Sequence, residues 1–329
     1  MTTQIQAIRL SRFGGPEVLS LQPVDLPPPG PGEIQLRHSA IGLNFIDIYH
    51  RKGVFASPLP LPSGLGLEGV GEVVAVGEGV AGFAPGDRVA YVGGPPGGYA
   101  TMRNLPAARA VMAPEGIDDT TLAAMIFKGL TAEYLIHRCV PVQAGDAVLF
   151  HAAAGGVGSI ACQWLKAIGA RVIGTVGSEA KAETARRNGC DHVIVAPAGD
   201  LADQVRQITG GKGVRAAFDS VGADTFAASL DSLAPRGILV SFGESSGPVP
   251  PLAVGSLGPK GSLFVTRPSI AHYTADPAEY RAAAQRLFAA MADGTLAAPQ
   301  VATYPLAQAA QAHDALESRR TQGSVVLLP

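Results

Sequence analysis

Through about residue 120 the apolar residues fall in short runs broken by turn signals. Breaks stand at Phe13-Gly14-Gly15-Pro16, at 27–32, at Ser63-Gly64, at 77–79, at Pro85-Gly86-Asp87 and at 93–98. The runs between them, such as EIQLRHSAIGL at 33–43 and VGEVVAVG at 70–77, are rich in Val and Ile and too short for helices. This half therefore reads as an all-β domain. From about residue 121 short buried-strand runs alternate with amphipathic stretches, which predicts a parallel sheet with crossover helices. Strands are expected at 147–151, 171–175, 192–195, 214–219, 238–242 and 263–265, with helices at 156–168, 179–188, 201–209 and 224–233. Six strands in that alternation fit a doubly wound dinucleotide-binding sheet. A helix over 277–292, a short β run near Val301, a helix over 306–318 and a terminal strand VVLLP follow. That tail is too short to stand alone, so it is expected to return to the first domain. The fold class is α/β: a β-rich domain of residues 1–122 and 270–329, interrupted by a nucleotide-binding domain of residues 123–269.

Composition narrows the function classes. The 329 residues are 47% hydrophobic and 16% charged, with a formal net charge of -2, the reverse of a disordered chain. That charge provides no basic stripe for a polyphosphate backbone, so nucleic acid is not expected as a partner. No apolar stretch approaches the roughly 18 residues of a membrane span. The opening MTTQIQAIRLSRF lacks the basic head and apolar block of a signal peptide, and a cytoplasmic protein with no membrane partner is expected. Cys139, Cys162 and Cys190 are too scattered for a disulfide framework or a metal clip and read as small core thiols. The 41 glycines and 26 prolines follow no collagen period and must punctuate an ordered fold.

The strongest chemical signal is His151-Ala152-Ala153-Ala154-Gly155-Gly156-Val157-Gly158, between a buried strand and an amphipathic helix. Gly155 has no side chain to block a pyrophosphate and Gly158 permits close helix packing. The helix N-terminus, Gly156, Val157 and Gly158, offers free N–H groups and a positive dipole end. Ala153 stands where the strict fingerprint has its first Gly, so the motif draws its weight from falling at the first strand-to-helix turn of six such units. At the end of the second strand an NAD site wants a carboxylate for the ribose 2′-OH. This chain offers Thr175, Val176, Gly177, Ser178 and Lys181 there, a hydroxyl and an ammonium that favour NADPH, although Glu179 lies close by.

Gly66-Leu67-Glu68-Gly69-Val70-Gly71, Val76-Gly77 and Gly86-Asp87-Arg88-Val89 resemble the signature of the medium-chain dehydrogenase/reductase superfamily. Asn44-Phe45-Ile46-Asp47, Lys128-Gly129-Leu130-Thr131, the HAAAGGVG turn, Phe218-Asp219-Ser220-Val221-Gly222 and Glu317-Ser318-Arg319 narrow the resemblance. Over essentially its whole length the chain resembles the bacterial type of the zeta-crystallin-like NADPH:quinone oxidoreductases. The resemblance implies a GroES-like β-rich domain carrying a Rossmann domain, a homodimer, and reduction of quinones by hydride or single-electron transfer.

In zinc-dependent relatives a Cys and a His bind the catalytic metal; the matching positions here are Asn44 and Leu67, and the structural-zinc loop is missing. No metal site is expected, and His38 and His50 read as surface or core-edge residues. The resemblance places Asn44, Asp47 and Tyr49 on the nicotinamide and acceptor side and Thr131 against the cofactor at the domain junction. Local turn capping is the plainer reading of Asn44 and Asp47, and packing that of Tyr49. Cofactor roles carry over to Gly177, Ser178, Lys181, Phe242, Ser245, Arg267 and Arg319. Relatives often place a Tyr after the third strand, where this chain has Val195-Ala196-Pro197. Loop-like stretches at 51–62 and 268–276 are expected to wall the acceptor pocket. Two other readings stay open: reduction of activated C=C bonds in enals or enones, and a non-catalytic NADPH-binding or RNA-binding protein.

Overall fold

The protein was analysed as a computed structural model, which describes residues 2–55, 58–196, 199–318, 320–321 and 323–329. It divides into two compact units, one of Met1–Phe127, Asp276–Phe288 and Ala298–Pro329, the other of Lys128–Ala275 and Ala289–Ala297.

In the second unit six strands form a wholly parallel sheet in the order His192–Val195, Arg171–Val176, Ala147–Phe150, Val214–Asp219, Leu233–Ser241, Phe264–Thr266. The order reverses between the first and fourth of these strands in chain order, the topology of a doubly wound nucleotide fold. Their central residues are apolar and buried on both faces, Leu149, Ile173, Ala217 and Leu239 among them, because crossover helices cover the sheet. The helix Gly156–Ile168 buries Gly158, Ala161, Cys162 and Leu165 along one stripe. It stops at Gly169, whose φ of 87° lets its N–H reach back to the Leu165 carbonyl. The helix Leu201–Ile208 is anchored the same way by Leu201 and Val205. Two boundaries differ from the sequence reading. The strand expected at 238–242 begins at Leu233, and the helix expected over 224–233 is only Phe226–Asp231. Residues 222–225 are taken up by a turn built on Asp219.

The first unit holds a seven-stranded sheet in the order Val301–Pro305, Ser324–Leu328, Glu33–Leu43, Glu68–Val76, Arg88–Val92, Ala110–Met112, with Met102–Pro106 also paired to Glu33–Leu43. The terminal strand does return to this sheet, as Val325 to Leu327 pair antiparallel with Ile41 to Leu43. Thr3–Leu10, Leu19–Leu26 and Ser63–Gly64 make a second, three-stranded sheet. One core packs Leu10, Ile41, Leu43, Leu65 and Leu327 with Ala309 and Ala312 of the helix Ala309–Glu317.

The all-β expectation for the first half is corrected by a helix, Phe45–Lys52. Its buried residues are Asp47, Ile48 and Arg51, so the stripe that faces the core is mostly charged and carries no apolar period. Local signals do mark it: the Asn44 N–H donates to the Asp47 carboxylate three residues on, and Gly53 closes the helix at a φ of 66°. The stretch 268–276, expected as loop, includes the short helix Ile270–Tyr273.

Candidate active site

The HAAAGGVG turn leaves the sheet at His151, whose N–H donates to the Phe218 carbonyl at 3.0 Å. Ala152 adopts a φ of 52° to reverse the chain, and the Ala153 N–H is tied to Thr175 O at 2.9 Å. Gly155 then caps the helix Gly156–Ile168 with no side-chain hydrogen bond. Helical geometry leaves the amides of Gly156, Val157 and Gly158 without intrahelical acceptors. A ligand with anionic oxygens fits such a terminus better than any side chain present. A Cβ on Gly158 would stand 2.8 Å from Ala153 Cα and nearer still to the Ala152 carbonyl oxygen, so the approach of helix to turn demands glycine. Gly177, exposed at the end of the strand Arg171–Val176, would meet nothing within 4 Å with a Cβ added. The protein itself does not demand glycine there, and the space it leaves lies open.

Beneath the turn runs a buried chain of hydrogen bonds. Ser229 Oγ donates to Asp219 Oδ2 at 2.8 Å, so its oxygen accepts from His151 Nε2–H at 2.9 Å. His151 Nδ1 then accepts from the Thr175 hydroxyl at 3.0 Å. The acceptor-only carboxylate sets the direction of every link and hence the tautomer of His151. Burial lowers the pKa of His151, opposed by the Asp219 charge, which keeps the ring neutral and the chain intact. Asp219 also accepts from the Val221 and Gly222 amides and the Thr225 hydroxyl. The chain therefore binds the C-terminal ends of three adjacent strands together directly below the turn. No sequence signal gives Asp219 or His151 this role, because the links of His151 to Ser229 and Thr175 span 78 and 24 positions.

Ser178 caps the helix Glu179–Arg187 and accepts the Lys181 N–H through its carbonyl at 3.0 Å. Both residues are half-buried, and Glu179 is exposed. Phe242 packs its ring 5.9 Å from that of Phe150, and the Ser245 amide is fixed to Ser220 O. Arg267 donates to Ser241 O and Gly243 O and pairs with Glu244 at 3.3 Å, so its guanidinium braces the loop that carries Phe242 and Ser245. Thr131 is buried on the helix Asp119–Glu133. Lys128, three residues earlier and also buried, runs its side chain past Gly156, where a Cβ would meet Lys128 Cδ at 2.7 Å. Lys128 stood inside a quoted motif without a role. Val195 ends the strand His192–Val195, while Pro197 and Arg319 lie outside the described residues.

In the first unit Asn44 and Asp47 sit in one buried cluster. Asn44 Nδ2 donates to Glu68 Oε1 at 2.5 Å, and Glu68 Oε2 accepts the Phe127 N–H at 2.9 Å. Asp47 is fully buried and accepts from Asn44 N and the Tyr99 hydroxyl. Tyr49, half-buried, joins an aromatic group with Phe45 at 6.4 Å and Phe55 at 6.1 Å. His50 is half-buried against Phe55, whereas His38 is fully inside, held by Ala100 O and the Tyr91 hydroxyl. Burial and the charge of Arg103 push the His38 pKa down to about 3, a core residue rather than a core-edge one. Among the described residues no group of three or more His, Cys, Asp or Glu is arranged to hold a metal ion. No helix among them is long and apolar enough to cross a membrane.

Two family models match: an alcohol dehydrogenase GroES-like domain over residues 30–141 and a zinc-binding dehydrogenase over residues 156–289. The chain is 48% identical over 322 residues to a quinone oxidoreductase of Pseudomonas aeruginosa, covering 98% of this chain and 99% of that protein. It is 44% identical to a 2-haloacrylate reductase of a Burkholderia species, covering 99% of each. Among solved structures, the Escherichia coli quinone oxidoreductase complexed with NADPH superposes with a TM-score of 0.95 at 46% identity, covering 98% of this chain and all of that one.

Proposed function

The chain belongs to the quinone oxidoreductase family of medium-chain dehydrogenases/reductases, and from that membership we propose that it is an NADPH:quinone oxidoreductase acting without a metal. The observation that carries the reading is the uncapped Gly-rich helix terminus over a locked sheet end, in a chain so similar to quinone oxidoreductases over its full length. NADPH, when bound, supplies the hydride. The first-turn amides of Gly156, Val157 and Gly158 hold its pyrophosphate, and the space at Gly177 admits it. Ser178 and Lys181 take the 2′-phosphate. Thr131 and the loop of Phe242 and Ser245, braced by Arg267, would orient it. Tyr49 offers its hydroxyl to the acceptor, on the helix whose N-terminal Asn44 is held by its bond to Glu68. The Tyr49 hydroxyl stabilises the oxygen on which negative charge develops as a quinone is reduced. Quinones are electron-poor, so a hydrogen-bond donor suffices where an alcohol's oxidation needs a Lewis acid for the alkoxide.

A second reading, reduction of an activated C=C bond, is favoured by the similarity to the 2-haloacrylate reductase. It shares the cofactor site and differs in the acceptor.

The coenzyme assignment is tested by the ratio of kcat/KM for NADPH over NADH in quinone reduction. The ratio is expected above one, and Lys181→Ala is expected to raise KM for NADPH about tenfold while leaving NADH little changed. A ratio below one, or an equal effect on both, contradicts the assignment.

A cytoplasmic location is proposed from the sequence, whose three scattered cysteines read as small core thiols of a reducing compartment. A homodimer is supported by the edge strand Phe264–Thr266, which leaves Phe264 59% exposed. Sedimentation as a monomer at micromolar concentration contradicts the dimer.

A further inference from the structure

Arg51 is fully buried in the first unit, on the helix Phe45–Lys52. A buried guanidinium gives up its hydration, so its donors must be met inside the protein. Nε donates to Gly14 O at 3.1 Å, one terminal nitrogen pairs with Glu317 at 2.6 Å, and the other approaches His313 Nδ1 at 3.2 Å. Arginine only donates, so Nδ1 of His313 accepts, and a neutral ring then carries its proton on Nε2. Nε2 lies 3.1 Å from the Tyr99 hydroxyl oxygen, which must accept from it. The Tyr99 hydrogen is thereby committed to Asp47 Oδ2, also at 3.1 Å. That oxygen further accepts the Asn44 N–H at 2.9 Å.

The direction of this chain is thus set from Arg51 through His313 and Tyr99 to Asp47, with each link fixing the next. Its two ends, Asp47 and Arg51, lie four residues apart on one helix face, so the chain closes a ring against that face. Tyr99 and His313 are buried and pack edge to face with centroids 5.7 Å apart. Tyr99 has its seat because Gly66, at a φ of 90°, has no Cβ; one would lie 2.9 Å from Tyr99 N and closer still to the ring. Burial and the Arg51 charge hold the His313 pKa down at about 3, opposed by Glu317, so the ring is neutral at any working pH.

We propose that His313 is a positioning residue for the acceptor side of the site: by directing the hydrogen bonds from Arg51 to Asp47 it holds the first turn of the helix Phe45–Lys52, and with it Asn44 and Tyr49, in a single orientation. The inference rests on the quinone reductase reading for its consequence in catalysis, but the clamp itself is a property of the first unit.

The test compares His313→Leu with His313→Gln. Leucine fills the space and breaks both links; glutamine presents one acceptor and one donor, as the neutral ring does. His313→Leu is expected to lower kcat about tenfold or more while the Kd for NADPH, set by the second unit, stays unchanged. His313→Gln is expected to recover most of kcat. Hydrogen exchange of the amides in 45–52 is expected to quicken in His313→Leu and not in His313→Gln. Unchanged kcat and unchanged exchange in a folded His313→Leu overturn the proposal, as does a His313→Gln protein equally impaired in both. If the wild-type protein reduces no acceptor, the reductase reading fails, and the exchange comparison alone decides the clamp.

Discussion

Gly158→Ala is expected to weaken NADPH binding by roughly tenfold or more and to lower the melting temperature at the same time. The added Cβ meets backbone, Ala153 Cα at 2.8 Å and the Ala152 carbonyl, which cannot rotate away as a side chain can. Overpacking of this kind costs about 1–3 kcal/mol. The relief available is a shift of the helix Gly156–Ile168 away from the turn, which displaces the very amides that would meet the pyrophosphate. Gly177→Ala supplies the control: its Cβ meets no protein atom within 4 Å and its φ is unremarkable, so stability should hold while cofactor affinity falls. Fluorescence titration with NADPH and thermal melts read the two effects separately. A Gly158→Ala protein with wild-type affinity contradicts the role given to the turn.

Asp219→Ala is expected to be the most destabilising single change in the second unit, at about 3–5 kcal/mol. It would leave the Val221 and Gly222 amides and the Thr225 and Ser229 hydroxyls without the acceptor that the fully buried Asp219 provides. For a unit of this size the melting temperature should fall by roughly 10 °C. Asp219→Asn should lose much less. An amide that donates to Ser229 lets that hydroxyl turn toward His151, and the ring can shift its proton to Nδ1 and donate to Thr175. The chain then runs in the opposite direction with most links kept. Equal losses for Ala and Asn would show that charge, and not the directed chain, is what matters at this position. Both outcomes are read by thermal or urea unfolding.

The nucleotide-binding unit was legible because its buried faces are apolar. The parallel sheet and the helices covering it follow from short Val- and Ile-rich runs between amphipathic stretches, and the Gly-rich turn falls where the first strand ends. The return of the tail was legible from its length, since two helices and two short strands are too few to stand alone. What escaped the pattern was polar burial. The helix Phe45–Lys52 turns Asp47 and Arg51 inward, so a rule that equates inside with apolar reads its face as surface. The directed chains through His151 and His313 join residues 10 to 262 positions apart, and no spacing in the sequence marks them. His38 misled for the same reason: its partners, Ala100 O and Tyr91, lie 62 and 53 positions along the chain. Tyr49 lies on the helix Phe45–Lys52, Thr131 on Asp119–Glu133 and Lys181 on Glu179–Arg187, and their roles are read from resemblance alone. The polar atoms that hold those elements in place were visible only in three dimensions.

The most direct test of the account is the initial rate of NADPH oxidation, followed by its near-ultraviolet absorbance, against a panel of quinones, enones and alcohols in the presence of a metal chelator. Quinones should be turned over with saturation kinetics at rates the chelator does not change, and alcohols offered with NADP+ in place of NADPH should not be oxidised. Enone reduction with no quinone reduced above background, or loss of quinone turnover on chelation, would contradict an NADPH:quinone oxidoreductase that works without metal.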